Sequence, residues 1–439
     1  MRTLASRLLA SFIVALAALG VLAPPAGAAG PSCDNEAGCV LVVGVTGLID
    51  PVIAEYLRDT TTSVRSVDGF LGIVVVLDSA GVVIDDAAFA RLVATLRDSD
   101  VPVSAWVGPS GAEATGGAAE LALALGRATA APGTRIGDNG TQRLPLDRFG
   151  DLFEGAAAVL RTEAVDAEQA GRSGAIAGID NILGDHVLDI EGVTFDEVAD
   201  AQGRPKRAPR TTGITQTLPL GDQLFHTVAS PAVAYLLLAV AIGLLIFEFF
   251  TAGVGVAGVI GAGAGVLAAY GLDVLPTRPW ALALCLVAGL AFAIDVQTAL
   301  PRVWTGIGLV LWTAGSFLLF EGMHTPWLAL VTGVVGMAIS MVSGMPAMVR
   351  SRFGTPTIGR GWMVGREGRT VSEVDPDGIV VIDGAQWRAR TNRATPLGVG
   401  DEIRVVAIDG LTLEVEPLEG GAIDYREMRG RRSEPARDA

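Results

Sequence analysis

Apolar residues dominate one stretch of the chain, 231–349, where charges are few. A membrane helix needs about 20 apolar residues, so the stretch has room for several. Polar breaks at 248–251, 273–279, 295–302 and 321–326 divide it into five spans, near 231–250, 253–271, 279–297, 304–320 and 326–347. The alternative is four, with the last two forming one re-entrant hairpin. The second span holds Gly253, Gly255, Gly258, Gly261, Gly263 and Gly265. Small residues let helix backbones approach closely in lipid, so bundle packing accounts for them. Glu248 and Asp295 fall near span ends, where an acid is interfacial rather than part of an ion path. A transporter is therefore not expected.

The pattern before this block changes twice. Residues 1–28 read as a signal peptide, with Arg2 and Arg7 ahead of an apolar run over 8–22 and a small-residue cleavage site at Ala26-Gly27-Ala28. An uncleaved anchor is the alternative, and in both cases the following domain is exported. Residues 29–200 alternate short apolar runs with helical periodicity. Strands are expected at 40–45, 72–77 and 101–107, and helices at 48–60, 84–96 and 116–128. The run Gly-Ile-Val-Val-Val-Leu over 72–77 is apolar on both faces, as a buried parallel strand requires. The alternation argues an α/β domain with right-handed crossovers. Residues 201–229 form a linker broken by Gly203, Pro205 and Pro209, ending in an amphipathic lead-in to the first span.

After the block, residues 355–418 alternate with strand period and are punctuated by turn signals at Pro376-Asp377-Gly378 and Asp409-Gly410. A small all-β barrel of five strands, OB-like, fits this pattern. The segment 419–439 is charged with both signs and is expected to be disordered. With the first domain outside and five spans, the C-terminal domain is cytoplasmic. Arg302, Arg350 and Arg352 then lie inside, as the positive-inside rule prefers, and Arg278 lies outside.

Composition narrows the chemistry. The net charge is −15, which argues against nucleic acid. Trp387 could stack on a base, but 355–418 carries 7 Arg against 10 Asp and Glu, so it reads as a core or protein-contact residue. His186, His226 and His324 are scattered and do not suggest zinc, and no cofactor is expected. Cys33 and Cys39 bracket a short loop of the exported domain and suit a disulfide, while Cys285 lies inside a span. Lysine occurs once, at Lys206.

The segments VGVTGLIDPVIAEYL, VVVLDSAGVVID, VPVSAWVGPSGAEATGGAAELAL and APGTRIGDN resemble the ClpP-class serine-peptidase-like domain of the NfeD family, a fold similar to ClpP and the crotonases. The barrel segment, with PDG, GAQW and IDGLTLEVEP, resembles the C-terminal domain of the same family. The resemblance implies a Ser nucleophile, a Lys base and a glycine-rich oxyanion turn. A serine hydroxyl is a weak nucleophile and needs such a base.

This sequence departs at all three points. Gly116 stands at the nucleophile position, beside Thr115. The turn reads Asp78-Ser79-Ala80-Gly81-Val82, with Val82 in place of the second glycine. No lysine occurs between residues 1 and 205. Ser79, Ser104, Ser110 and His186 remain as members of a substitute dyad, with Ser79 and Ser110 as the alternative nucleophiles.

The resulting expectation is a plasma-membrane NfeD-like scaffold with a pseudopeptidase domain. The resemblance implies a stomatin- or flotillin-like membrane partner at the barrel, exported peptide segments held without cleavage, contact with lipid, and homo-oligomers. The alternative is a membrane-bound serine endopeptidase with a non-standard site.

Overall fold

The structure is a computed structural model describing residues 31–199, 205–251, 255–297, 301–353, 360–391 and 395–419. The signal peptide expected at 1–28 and nearly all of the tail expected at 419–439 lie outside the described residues. The chain divides into two compact units, one ending at Val349 and one beginning at Arg350.

The first unit opens with the α/β domain. Strands β1 (Cys39–Thr46), β2 (Phe70–Asp78) and β3 (Val103–Val107) alternate with helices α1 (Pro51–Val64) and α2 (Asp86–Arg97). A second group follows: β4 (Glu113–Thr115), α3 (Gly117–Ala124), β5 (Ala128–Ala130), β6 (Arg135–Gly137), β7 (Ala164–Asp166), β8 (Gly178–Ile179) and α4 (Leu183–Leu188). Next come β9 (Phe195–Ala199), β10 (Pro205–Pro209) and β11 (Thr212–Gln216). The main sheet has the order β11-β1-β2-β3-β5-β8, all parallel, and a small sheet β4-β6-β7 stands beside it.

Both faces of the main sheet are covered, which is why β1 and β2 are apolar up to their C-terminal residues, Thr46 and Asp78. One face presents Leu41, Val43, Ile73 and Val75 to Leu57, Phe89 and Leu92 of the helices. The other presents Val40, Val74 and Trp106 to Val187 of α4. Helix α1 begins sharply because Asp50 caps it, accepting from the Ile53 N–H at 2.8 Å, and Pro51 suits the first turn. Cys33 and Cys39 form a disulfide.

The linker expected at 201–229 needs correction. Strands β10 and β11 lie within it, and β11 is an edge strand of the main sheet, paired with β1. Pro205 and Pro209 hid this. They flank β10, whose ladder partner is β9 alone, and a strand without a second neighbour tolerates residues that lack an N–H. Helix α5 (Leu220–Val228) is the amphipathic lead-in. Its Phe225 packs edge-on against Tyr270 at 4.9 Å between ring centroids.

The bundle comprises α6 (Pro231–Thr251), α7 (Val256–Val274), α8 (Pro279–Val296), α9 (Val303–Leu318) and α10 (Trp327–Ile339). A π-helical turn at Ser340–Gly344 carries α10 into α11 (Met345–Phe353). Four stretches are long and apolar enough to cross a bilayer: Pro231–Phe250, Val256–Val274, Pro279–Val296 and Trp327–Val349. Helix α9, at 16 residues, is shorter, and it is a helix distinct from α10. Close packing explains two of the glycines. A Cβ on Gly315 would meet Cys285 Sγ at 2.6 Å, and one on Gly308 would meet the Phe292 ring at 2.6 Å.

Glu248 and Asp295 do the same work in two helix pairs. Glu248, near the end of α6, accepts from the N–H groups of Gly255 and Gly258 at 2.9 and 3.3 Å. Asp295, near the end of α8, accepts from Arg302 and Thr305 at 2.8 and 2.7 Å. In both cases the donors lie 7 and 10 residues ahead. Each acid satisfies otherwise orphaned donors at the start of the next helix, where the dipole also favours negative charge.

The second unit is a closed five-stranded barrel, β12 (Glu367–Thr370), β13 (Asp377–Ile382), β14 (Ala385–Arg390), β15 (Glu402–Asp409) and β16 (Thr412–Pro417), in the order β12-β13-β14-β16-β15. Val374, Val380, Ile382, Ile403, Val405, Leu413 and Val415 fill it, and Trp387 packs half-buried against that core.

Candidate functional site

The expected catalytic positions gather where the main sheet meets the small one. Asp78 ends β2, and its Oδ1 accepts from the Glu113 N–H at 3.1 Å. Ser79 follows and bridges to Ala114, so its backbone belongs to the sheet junction. Its side chain is buried and donates to the Gly81 carbonyl at 3.1 Å. Ser110 is exposed, and its Oγ donates to the Pro132 carbonyl at 2.6 Å. Neither hydroxyl is hydrogen-bonded to a base.

Gly116 precedes α3 with φ +54° and ψ −138°, a conformation that glycine adopts without penalty and other residues resist. A Cβ there would meet nothing closer than the Ala80 carbonyl and Gly81 Cα, both at 3.8 Å. Space for a side chain exists, therefore, but the backbone is shaped for none. The next residue is tighter: a Cβ on Gly117 would lie 2.7 Å from Val82 Cγ2. Val82 thus packs directly on the start of α3. An oxyanion site needs open backbone N–H groups at such a place. Of the N–H groups in the turn, that of Gly81 reaches Ser79 Oγ at 3.4 Å and that of Val83 donates to the Ile49 carbonyl at 3.0 Å.

Arg143 fixes this turn from the side. Its guanidinium donates to the carbonyls of Val82 and Ile84 at 2.8 and 2.5 Å, and its Nε pairs with Asp86 at 2.7 Å. Buried Glu120 of α3 accepts from the N–H groups of Arg143 and Leu144. A groove of roughly 510 Å³ survives here, lined by Leu48, Val82, Gly116 and Arg143 on one side and by Pro276 and Met323 of the bundle loops on the other. Lys206 lies elsewhere, exposed on β10.

A second polar group was only half visible in the sequence. His186, on α4, is fully buried. Its Nε2 lies 2.8 Å from Ser104 Oγ, and its Nδ1 lies 2.7 Å from Thr129 Oγ1 and 3.1 Å from Asp180 Oδ2. Trp106 Nε1 donates to the Asp180 carbonyl at 3.1 Å. Burial pushes the Asp180 carboxyl up, but hydrogen bonds from His186 and Thr129 outweigh this and hold it below its ordinary value. The order serine, imidazole, carboxylate matches a hydrolytic triad. Its setting does not: Ser104 is buried within β3 and the imidazole has no exposed surface. Ser104 and Asp180 are 82 and 6 residues from His186, and only the sheet brings Ser104 and Thr129 to it.

A third group joins the domain to the membrane. His226 of α5 contacts Asp50 Oδ2 through Nδ1 and the Thr46 carbonyl through Nε2, both at 2.8 Å. A carbonyl and an ionised carboxylate only accept, so these two contacts favour the imidazolium form of His226, with a proton on each ring nitrogen. The hydrogen bond to buried Asp50 raises its pKa above the ordinary value, against the opposing effect of burial. Sequence pattern gave no sign of this contact.

These features define a multi-pass membrane protein that joins an α/β domain with a parallel main sheet to a small β-barrel. Residues 232–348 match the NfeD integral membrane domain, and residues 360–417 match the NfeD-like C-terminal, partner-binding domain. In its membrane and C-terminal domains the chain is therefore similar to the NfeD family of membrane proteins. It is 27% identical over 403 residues to the membrane-bound protease PH1510 of Pyrococcus horikoshii, covering 83% of this chain and 90% of that protein. Among solved structures, it is similar to the 1510-N membrane protease specific for a stomatin homolog from P. horikoshii, at 20% identity, over 44% of this chain and 99% of the other, with a TM-score of 0.33. It is also similar to the C-terminal domain of the stomatin operon partner protein 1510-C from P. horikoshii, at 35% identity, over 14% and 98%, with a TM-score of 0.14.

Proposed function

We propose that this chain is a membrane scaffold acting with a stomatin- or flotillin-like membrane protein through its barrel, and that its α/β domain is a pseudopeptidase. One observation carries the second half. The nucleophile position is Gly116, and Val82 packs on Gly117 where an oxyanion would need open donors. The chain's one lysine sits on the exposed hairpin. The groove remains, so the domain holds an extended peptide segment without cutting it. Because bundle loops line one wall of that groove, the segment is one lying close to the membrane surface.

The first half rests on the match of the barrel to a partner-binding domain and on the name of the similar P. horikoshii structure as a stomatin operon partner. On this reading the α/β domain is extracytoplasmic and the barrel cytoplasmic, in the plasma membrane. The test is co-purification of the full-length protein with a co-expressed stomatin-family protein in mild detergent. Recovery that is lost on deleting 355–418 supports the scaffold. Equal recovery with and without the barrel contradicts it.

A second reading is favoured by the Ser104–His186–Asp180 geometry and by the name of the similar protease. It is a membrane-bound serine endopeptidase in which movement of α4 uncovers Ser104. Labelling by a fluorophosphonate probe distinguishes the two.

A further inference from the structure

The outer wall of the barrel carries four ion pairs among the described residues, and one exposed strand arginine outside them. Cross-strand neighbours of opposite charge stabilise a sheet surface, and this barrel uses them repeatedly. Arg369 pairs with Glu402 at 2.9 Å, Arg404 with Glu367 at 3.2 Å, Arg390 with Asp377 at 2.7 Å, and Arg366 with Asp383 at 3.9 Å. Arg388 is exposed on β14 and has no ion pair or hydrogen bond among the described residues.

The register explains what lies beside it. Ile379 is opposite Arg388, and the Val371 N–H donates to the Ile379 carbonyl at 2.8 Å. The preceding pair, Thr370 and Val380, is buried, so the alternating pleat turns Val371, Ile379 and Arg388 outward in one row. Val371 is 44% exposed and Ile379 39%. Val399, 70% exposed, sits on a loop strapped to the same place. Thr370 Oγ1 donates to the Gly398 carbonyl at 2.5 Å, and the Gly400 N–H to the Thr370 carbonyl at 3.0 Å.

We propose that this row is the barrel's docking face, and that its occupant is a protein segment presenting an aliphatic side chain next to a carboxylate. This rests on the reading of the barrel as the partner contact. The aliphatic group covers Val371, Ile379 and Val399, and the carboxylate takes the fork of Arg388, a geometry suited to two parallel hydrogen bonds. Anionic lipid and nucleic acid do not fit, because Asp and Glu outnumber Arg by 10 to 7 over 355–418 and four of the described arginines are already ion-paired. The sequence of the barrel gave no hint of this, since its strand arginines look alike until the register pairs Arg369, Arg390 and Arg404 with acids on neighbouring strands.

The experiment uses the full-length protein in detergent with a co-expressed stomatin-family protein, and measures Kd between the purified components. Arg388→Glu and Ile379→Asp are each expected to weaken binding at least tenfold. Arg404→Glu, on a different stretch of wall, is expected to change it less than threefold. Resistance of the barrel to limited proteolysis, unchanged in each variant, shows that it remains folded. Unchanged affinity in both variants, with binding lost on deleting 355–418, would overturn the assignment of this face alone. Binding that survives the deletion would overturn the underlying reading. A change in the mass of the homo-oligomer, or in flotation with anionic vesicles, without a change in Kd would assign the face to another occupant and overturn the proposal.

Discussion

Val82 lies so close to Gly117 that a Cβ added to the glycine would stand 2.7 Å from Val82 Cγ2. One valine thus occupies the approach to the first turn of α3, next to the residue where a nucleophile would be. On the proposed reading, this packing is what separates the turn and its groove from a working site.

Restoring a hydroxyl should therefore not restore chemistry. A Gly116→Ser variant gains a side chain with no base beside it, in a backbone conformation that costs a non-glycine residue about 1–3 kcal/mol. The expected result is a lowered melting temperature of the detergent-solubilised protein and no turnover of fluorogenic peptides above background.

The buried imidazole is expected to matter for stability. His186→Ala leaves Ser104, Thr129 and Asp180 without their shared partner and should cost about 1–3 kcal/mol. Ser104→Ala should cost about 1 kcal/mol, in line with the loss of one hydrogen bond. Thermal unfolding monitored by tryptophan fluorescence reads both. A catalytic array would instead lose activity on Ser104→Ala with its stability nearly intact.

The contact between His226 and Asp50 makes attachment of α5 sensitive to pH. The folded pKa of His226 lies above its ordinary value of about 6.5. Its stabilising contribution is then complete below about pH 6.5 and is lost as pH rises through the folded value. The hydrogen-exchange protection factors over 220–228, corrected for the intrinsic rate at each pH, are expected to fall between mildly acidic and alkaline pH. In His226→Gln the same segment should show low protection at every pH, with no such transition.

How much of this was legible beforehand differs between elements. The bundle shows itself because lipid demands long apolar runs, and the barrel because period-two alternation survives in β16 and the first half of β15. Strand β11 was missed since five residues, Thr212–Gln216, carry little pattern next to two prolines. That Gly116 stands where the resemblance expects a serine is legible in the sequence, but the packing of Val82 on Gly117 needed coordinates. The paired roles of Glu248 and Asp295 were hidden because a cap is a contact with backbone, which leaves only the position of the acid in the sequence.

Those two caps are expected to be equivalent. Glu248→Ala and Asp295→Ala should each lower stability in detergent by about 1 kcal/mol, the usual value of a lost helix cap. The double variant should show the sum, since each acid serves a different helix pair. Melting of the three proteins in one detergent measures this.

The central claim is that the α/β domain binds without cutting. The most direct measurement is reaction of the full-length protein, folded in detergent, with a fluorophosphonate probe, followed by mass spectrometry of its serine peptides. The account predicts no specific labelling of Ser79, Ser104 or Ser110. Stoichiometric labelling of any one of them, abolished when that serine is changed to alanine, would contradict it.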